Sequence, residues 1–228
     1  MQLEPHLIDV DVPADQSKVS GVVIVLHGGA GRRGERAVSP NQLSVLRMIP
    51  IAHRVARADG ERLAVFRLLN TRRGWDTEHT PTQDVDWAMN QVRERLGGQL
   101  PTCLIGHSLG GRAALLSAGA DGIRSVVALA PWVYPDDAHE VDATGRRVLF
   151  VHGDGDRIAK RASAQTVAAT MARTAADVRF VTVAGGKHAM LRHGRRFEQL
   201  AAEFAVTTLL GERLEAPRVC VAGDSELG

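Results

Sequence analysis

Short runs of β-branched and other apolar residues recur along this chain, most followed by a stretch whose apolar residues repeat at helical spacing. That alternation restricts the fold more than any other feature. The runs are Val22 to Leu26, Leu63 to Leu69, Thr102 to Ile105, Ser125 to Ala130, Arg147 to Val151 and Val178 to Val183. Strands joined through helices pair in parallel, because only a crossover connection returns the chain to the same edge of the sheet. The expected class is α/β, with a mostly parallel central sheet and helices on both faces. His6 to Val12 adds a candidate edge strand. Within residues 84–96, Val85, Ala88, Met89, Val92 and Leu96 form one apolar stripe, with Arg93 and Glu94 off it and Trp87 beside it as packing. Leu109 to Ala118, Ala162 to Arg173 and the segment carrying Phe197, Leu200, Ala201, Phe204 and Leu209 read as further helices.

The 228 residues suffice for one well-buried core, and no Pro/Gly/Ser-rich stretch divides them. A single domain is expected over residues 1–211, followed by a polar tail over 212–228. No apolar run approaches the roughly 20 residues that span a bilayer. Met1 to Val10 carries Glu4, Pro5 and Asp9 in place of a basic segment followed by an apolar one, so the chain reads as cytoplasmic. Cys103 and Cys220 show neither a metal-ligand spacing nor a disulfide framework, so no metal and no cofactor are expected. A net charge of +2, without aromatic residues interleaved among the cations, argues against a nucleic-acid partner. No membrane partner is expected either.

The residues Gly106-His107-Ser108-Leu109-Gly110-Gly111 join an apolar strand to a helix rich in alanine and leucine. A G-x-S-x-G in that setting reverses the chain so sharply that side chains at its glycines would clash, and it leaves the serine projecting above the sheet edge. A serine hydroxyl is a weak nucleophile at neutral pH, so it needs a base to take its proton and a third group to orient that base. Downstream, Val148 to Val151 runs into His152-Gly153-Asp154-Gly155-Asp156, and Val178 to Val183 is followed by Ala184-Gly185-Gly186-Lys187-His188.

In these features the chain resembles the α/β-hydrolase superfamily, and more narrowly its small dienelactone-hydrolase-like and carboxylesterase-like members, over approximately residues 20–210. That resemblance implies the order serine, aspartate, histidine, each on the turn after a strand, with the acid closing a pattern H-G-x-x-D. Carried over, Ser108 is the nucleophile, Asp156 the orienting acid and His188 the base. Asp154 is the alternative acid and His193 the alternative base. The resemblance also implies an oxyanion hole formed by the amides of Leu109 and of Gly29, in His27-Gly28-Gly29-Ala30-Gly31, with Ala30 as the alternative to Gly29. Only about a dozen residues, Tyr134 to Arg146, separate the strands between which many relatives insert a cap, so none is expected here. Pocket walls then come from loops at the carboxyl edge, with Trp75, Trp132 and Tyr134 as candidates. Arg32 and Arg72, with Arg33 and Arg73, are candidates for meeting an anionic group.

The implied activity is cleavage of a small ester or thioester through an acyl-enzyme. The same constellation serves non-hydrolytic, cofactor-free chemistry (a lyase, perhydrolase or acyltransferase), and a binding module without turnover is a further reading. The serine stands where dienelactone hydrolases proper often have cysteine, which argues against a dienelactone substrate.

Overall fold

The computed structural model describes residues 4–29, 37–58 and 60–211. Arg32, Arg33 and Ala30, and the expected tail over 212–228, lie outside them. Among the described residues the β-branched runs form one sheet: β1 (His6–Asp11), β2 (Gly21–Leu26), β3 (Leu63–Leu69), β4 (Thr102–His107), β5 (Ile123–Leu129), β6 (Arg147–Gly153) and β7 (Asp177–Val183). Their spatial order is β1-β3-β2-β4-β5-β6-β7. β1 is antiparallel to β3, and every other pair is parallel.

Helices α1 (Leu43–Leu46), α2 (Ile49–Ala58), α3 (Thr80–Arg95), α4 (Leu109–Leu116), α5 (Arg161–Met171) and α6 (Gly194–Leu210) complete the layers. Side chains alternate across each strand, so both faces of a central parallel strand must be covered. In β2, Val22, Ile24 and Leu26 join the core beneath α3, α4 and α5. Val23 and Val25 point the other way, into a second core built with α2 and α6.

The boundaries differ from the sequence reading in two instructive ways. α3 starts at Thr80, a turn before Asp84, because the Asp76 carboxylate accepts the Thr80 N–H at 2.8 Å and Pro81 fits a first turn. β4 and β6 run on through His107 and His152, polar residues that look like loop yet are buried as strand ends.

The chain passes from β2 outward to β3 and then crosses back to β4 on the other side of β2. The strand order therefore reverses between the carboxyl ends of β2 and β4, the position where open α/β sheets leave a crevice. Residues 130–146, between β5 and β6, hold only a five-residue 3-10 helix, Pro135–His139, so no cap is inserted between these strands.

Candidate active site

Ser108 alone links the end of β4 to the start of α4, at φ 56° and ψ −119°. Such backbone costs an L-residue about 1–3 kcal/mol and persists only where its surroundings enforce it. Here three hydrogen bonds do so. The Ser108 N–H donates to Leu129 O at 3.0 Å, and its carbonyl accepts from Trp132 N at 3.0 Å and Arg112 N at 3.1 Å. Close backbone approach explains the flanking glycines. A Cβ on Gly106 would lie 2.1 Å from Gly110 O, and one on Gly110 would lie 2.5 Å from His27 O.

The structure brings Ser108, His188 and Asp156 together. His188 Nδ1 lies 2.9 Å from Asp156 Oδ2, and its Nε2 lies 3.0 Å from Ser108 Oγ. A carboxylate only accepts, so Nδ1 carries the hydrogen. The neutral ring then leaves Nε2 bare to accept the serine proton. The Asp156 side chain is fully buried, and its oxygens are ringed by donors. Oδ1 accepts from the N–H groups of Ile158 at 2.8 Å and Ala159 at 3.0 Å. Oδ2 also meets His152 Nε2 at 3.3 Å. Burial by itself raises this carboxyl's pKa, but the hydrogen bonds from His152, His188 and Ile158 outweigh it and hold it well below the usual range. Asp154 points elsewhere, accepting the Gly185 N–H at 2.6 Å and so bracing the turn that carries His188. His193 caps the start of α6, and neither His188 nor Ser108 is among its partners.

Two further buried histidines hold the frame. His107 Nε2 donates to the His188 carbonyl at 2.8 Å, with the two rings 5.0 Å apart. Burial and the neighbouring His188 push its pKa down to about 3, so it stays neutral. The Asn70 N–H donates to His27 Nε2 at 3.2 Å, so His27 Nδ1 carries the hydrogen and donates to Gly28 O at 2.6 Å. This fixes the loop after β2 against the loop after β3. Burial lowers the pKa of His27 too. Within that loop a Cβ on Gly29 would lie 1.9 Å from Arg73 O, so no side chain fits there. Among the described residues, neither the Gly29 amide nor the Leu109 amide at the first position of α4 has an acceptor.

A family model described as "alpha/beta hydrolase fold" matches residues 21–152, more than half of the chain. The chain belongs to the α/β-hydrolase fold family. The match spans β2 to β6 and stops short of Asp156 and His188. Solved structures extend the likeness of this α/β-hydrolase over its length. Est1E from Butyrivibrio proteoclasticus is 15% identical, with 90% of this chain and 94% of that one covered at a TM-score of 0.66. XC6422 from Xanthomonas campestris, described as an α/β serine hydrolase without lid, is 17% identical, with 90% and 95% covered at 0.65. The thermophilic esterase Est2 from Thermogutta terrifontis, solved with propionate bound, is 16% identical, with 89% and 88% covered at 0.63. No curated protein sequence matches the chain significantly.

The remaining site candidates of this α/β-hydrolase lie on the loops after β3 and β5, and there the sequence reading missed the organising residue. Arg112, one turn into α4 from Ser108, is buried between Trp75, 4.1 Å from its guanidinium, and Tyr134 at 5.0 Å. Its Nε and Nη2 bind both oxygens of Asp137 at 2.8 and 2.6 Å, and Asp137 also accepts the Tyr134 N–H. One fork thus orders the two aromatic side chains and both loops. The signal was present: an arginine inside an apolar helix needs a buried acid partner. Several acids follow it, however, and spacing alone does not select Asp137. Trp132 is fixed through its backbone to Ser108. Arg72 forms an ion pair with Asp76 at 3.5 Å, which offsets the charge it offers a ligand.

Proposed function

We propose that the protein is a serine hydrolase that cleaves a carboxylic ester or thioester through an acyl-enzyme on Ser108. The observation that carries this reading is the continuous hydrogen-bonded chain Ser108 Oγ, His188 Nε2, His188 Nδ1, Asp156 Oδ2. Ser108 Oγ attacks the carbonyl carbon as His188 Nε2 takes its proton, and Asp156 stabilises the imidazolium that forms. The developing oxyanion is received by the amides of Leu109 and Gly29, which have no competing acceptor among the described residues. His188 then delivers its proton to the departing alkoxide or thiolate. Water, activated by the same nitrogen, releases the acid and restores the serine.

The described neighbours support an ester as the substrate class. Est1E has also been solved with ferulic acid bound, and the Thermogutta esterase has been solved phosphorylated by paraoxon. Trp75, Trp132 and Tyr134 would form the wall that receives the acyl or alcohol group.

A fluorophosphonate probe should label the folded protein at Ser108, and a panel of p-nitrophenyl esters and acyl thioesters should be turned over by the wild type but not by Ser108→Ala. An adduct on another residue, or equal turnover by the variant, would refute the assignment.

A further inference from the structure

Among the described residues five large apolar side chains are exposed: Leu43, Leu46, Tyr134, Ile158 and Leu191. Chain topology puts all five at one edge of the sheet. Ile158 and Leu191 follow the carboxyl ends of β6 and β7, and Tyr134 follows that of β5. α2 leads into the start of β3, so it runs against the strands and α1 sits at the same edge. That edge also carries Ser108 at the end of β4. Leu191 is 80% exposed, Leu43 74% and Ile158 57%, values that cost hydrophobic free energy in water for a lone monomer.

The charge around them is as one-sided. The loops after β6 and β7, with the first turns of α5 and α6, bring Arg157, Lys160, Arg161, Lys187, Arg192, Arg195 and Arg196 together. None of these forms an ion pair among the described residues. The two acids of the same loops are committed, Asp154 to the Gly185 N–H and Asp156 beneath His188. Neither helix has an acid in its first turn. Cations there oppose the helix dipole, so helix stability does not account for them. Near Tyr134, by contrast, Asp136 adds negative charge, which leaves Ile158 and Leu191 as the apolar tips flanked in sequence by the cations, with Leu43 and Leu46 on the same edge of the sheet.

We infer that this edge docks onto an anionic lipid bilayer, with the leucine and isoleucine tips in the headgroup layer and the arginines and lysines on lipid phosphates. Exposed apolar tips and unpaired cations on one edge are the two complementary halves of interfacial binding, and neither half alone holds a protein at a membrane. Among the described residues no helix is long and apolar enough to cross a membrane, and a docking edge requires none. Docking in this pose turns the opening above Ser108 toward the lipid. It stands apart from the hydrolase reading, because binding is measured without turnover.

Co-sedimentation of the full chain with vesicles tests it. Vesicles of phosphatidylcholine mixed with phosphatidylglycerol should retain the protein at least about tenfold better than phosphatidylcholine alone, with the difference shrinking in high salt. Arg161→Gln, Arg192→Gln and Arg195→Gln together should lower partitioning roughly a hundredfold, about fivefold for each charge removed. These changes improve the helix N-termini, so the variant should fold. Leu43→Asp with Leu46→Asp should lower partitioning by roughly tenfold or more, while turnover of a water-soluble short-chain ester stays at the wild-type level. Absence of binding to the anionic vesicles, or equal binding to both compositions, overturns the proposal. So does undiminished binding by the double leucine variant, which would mean that the cations attract a polyanion without a bilayer.

Discussion

The two edges of the sheet make their tight turns in opposite ways. At the amino edge the left-handed turns belong mostly to glycine: Gly60, Gly97, Gly122 and Gly145 all have positive φ, with Glu61 the exception. At the carboxyl edge, positive φ falls on residues with side chains, namely His79, Ser108, Ala130 and Met190, with Gly185 beside them. A turn that only reverses the chain takes the residue with no Cβ to clash. Where a side chain must be presented in a fixed direction the strain is retained, and neighbouring hydrogen bonds offset it. Concavity points the other way. A cleft of about 250 Å3 lies at the amino edge, lined by Asp86, Met89, Arg93 and Leu100 among others. Strain, buried histidines and close-packed glycines mark the candidate site, and this cleft lies away from it.

Turnover gives the largest contrast between the edges. Ser108→Ala should lower kcat by at least about a thousandfold, since in the proposed mechanism it removes the nucleophile and leaves only binding and oxyanion contributions. Asp86→Asn and Arg93→Ala in the amino-edge cleft should leave it within about twofold, because surface substitutions away from a site are nearly silent. Steady-state kinetics on one activated ester checks all three, and a large effect in the cleft would break the comparison.

A second contrast lies within the carboxyl edge. Asp156→Asn should cost about 10⁴ in kcat, because the amide stabilises the wrong tautomer of His188 without disturbing the fold. Asp154→Asn should cost roughly tenfold or less, since its carboxylate braces a backbone N–H and an amide oxygen can take over that bond. If the two losses were found reversed, the acid would be Asp154.

Ser108, Asp156 and His188, which the structure joins in one hydrogen-bonded chain, are legible in the sequence because each is a local event: a strand end followed by a short turn that carries a reactive side chain. The parallel sheet is legible too, since alternating strands and helices leave few other ways to bury both faces. The Arg112 fork and the His27 bond to Asn70 are not, because they join residues 25 and 43 apart, and no periodicity encodes such pairs. His107 and His152 are legible as packing residues, one beside the elbow and one bracing the acid loop, but their place inside β4 and β6 is not, because polar residues at a strand end look like loop until burial is seen. Arg72 stands out in the sequence for its charge, but the partner that offsets it lies four residues further along the same loop, at Asp76.

Those buried histidines give the edge a pH signature in stability. Folded His107 and His27 have depressed pKa values, whereas in the unfolded chain both titrate near 6.5. Below about pH 6.5 the unfolded state takes up protons that the folded state refuses. Stability is therefore complete above that value; His107, held down at about 3, lowers it by roughly 1.4 kcal/mol per pH unit below, and the depressed His27 adds to the decline. Asp156 is depressed as well, but its contribution is lost only as pH falls below about 4, where unfolded carboxylates protonate. Denaturant melts between pH 7 and 5 should show the decline, and His107→Gln should remove one proton's share of the slope. An unchanged slope in that variant would mean that His107 titrates in the folded protein.

The smallest effect tests the strain itself. Ser108→Ala keeps a Cβ at φ 56°, whereas Ser108→Gly relieves it, so the glycine variant should be the more stable of the two. Relief of 1–3 kcal/mol is partly cancelled by the extra freedom glycine gives the unfolded chain, leaving about 1 kcal/mol. At the amino edge the same change is run backwards. Gly97 has φ 69°, and a Cβ there would meet nothing within 4 Å, so Gly97→Ala introduces backbone strain without a clash. It should lose about 0.5–1 kcal/mol, or roughly 2–4 °C in Tm for each kcal/mol in a chain of this size. Gly145, with φ 70° and equally open surroundings, is an independent repeat. Gains at Ser108 with matching losses at Gly97 and Gly145 would show that one conformational cost is tolerated at the reactive edge and avoided at the other. Equal stability of Ser108→Ala and Ser108→Gly would mean that the elbow backbone relaxes once its hydroxyl is gone, and the strain would then belong to the Ser108–His188 hydrogen bond.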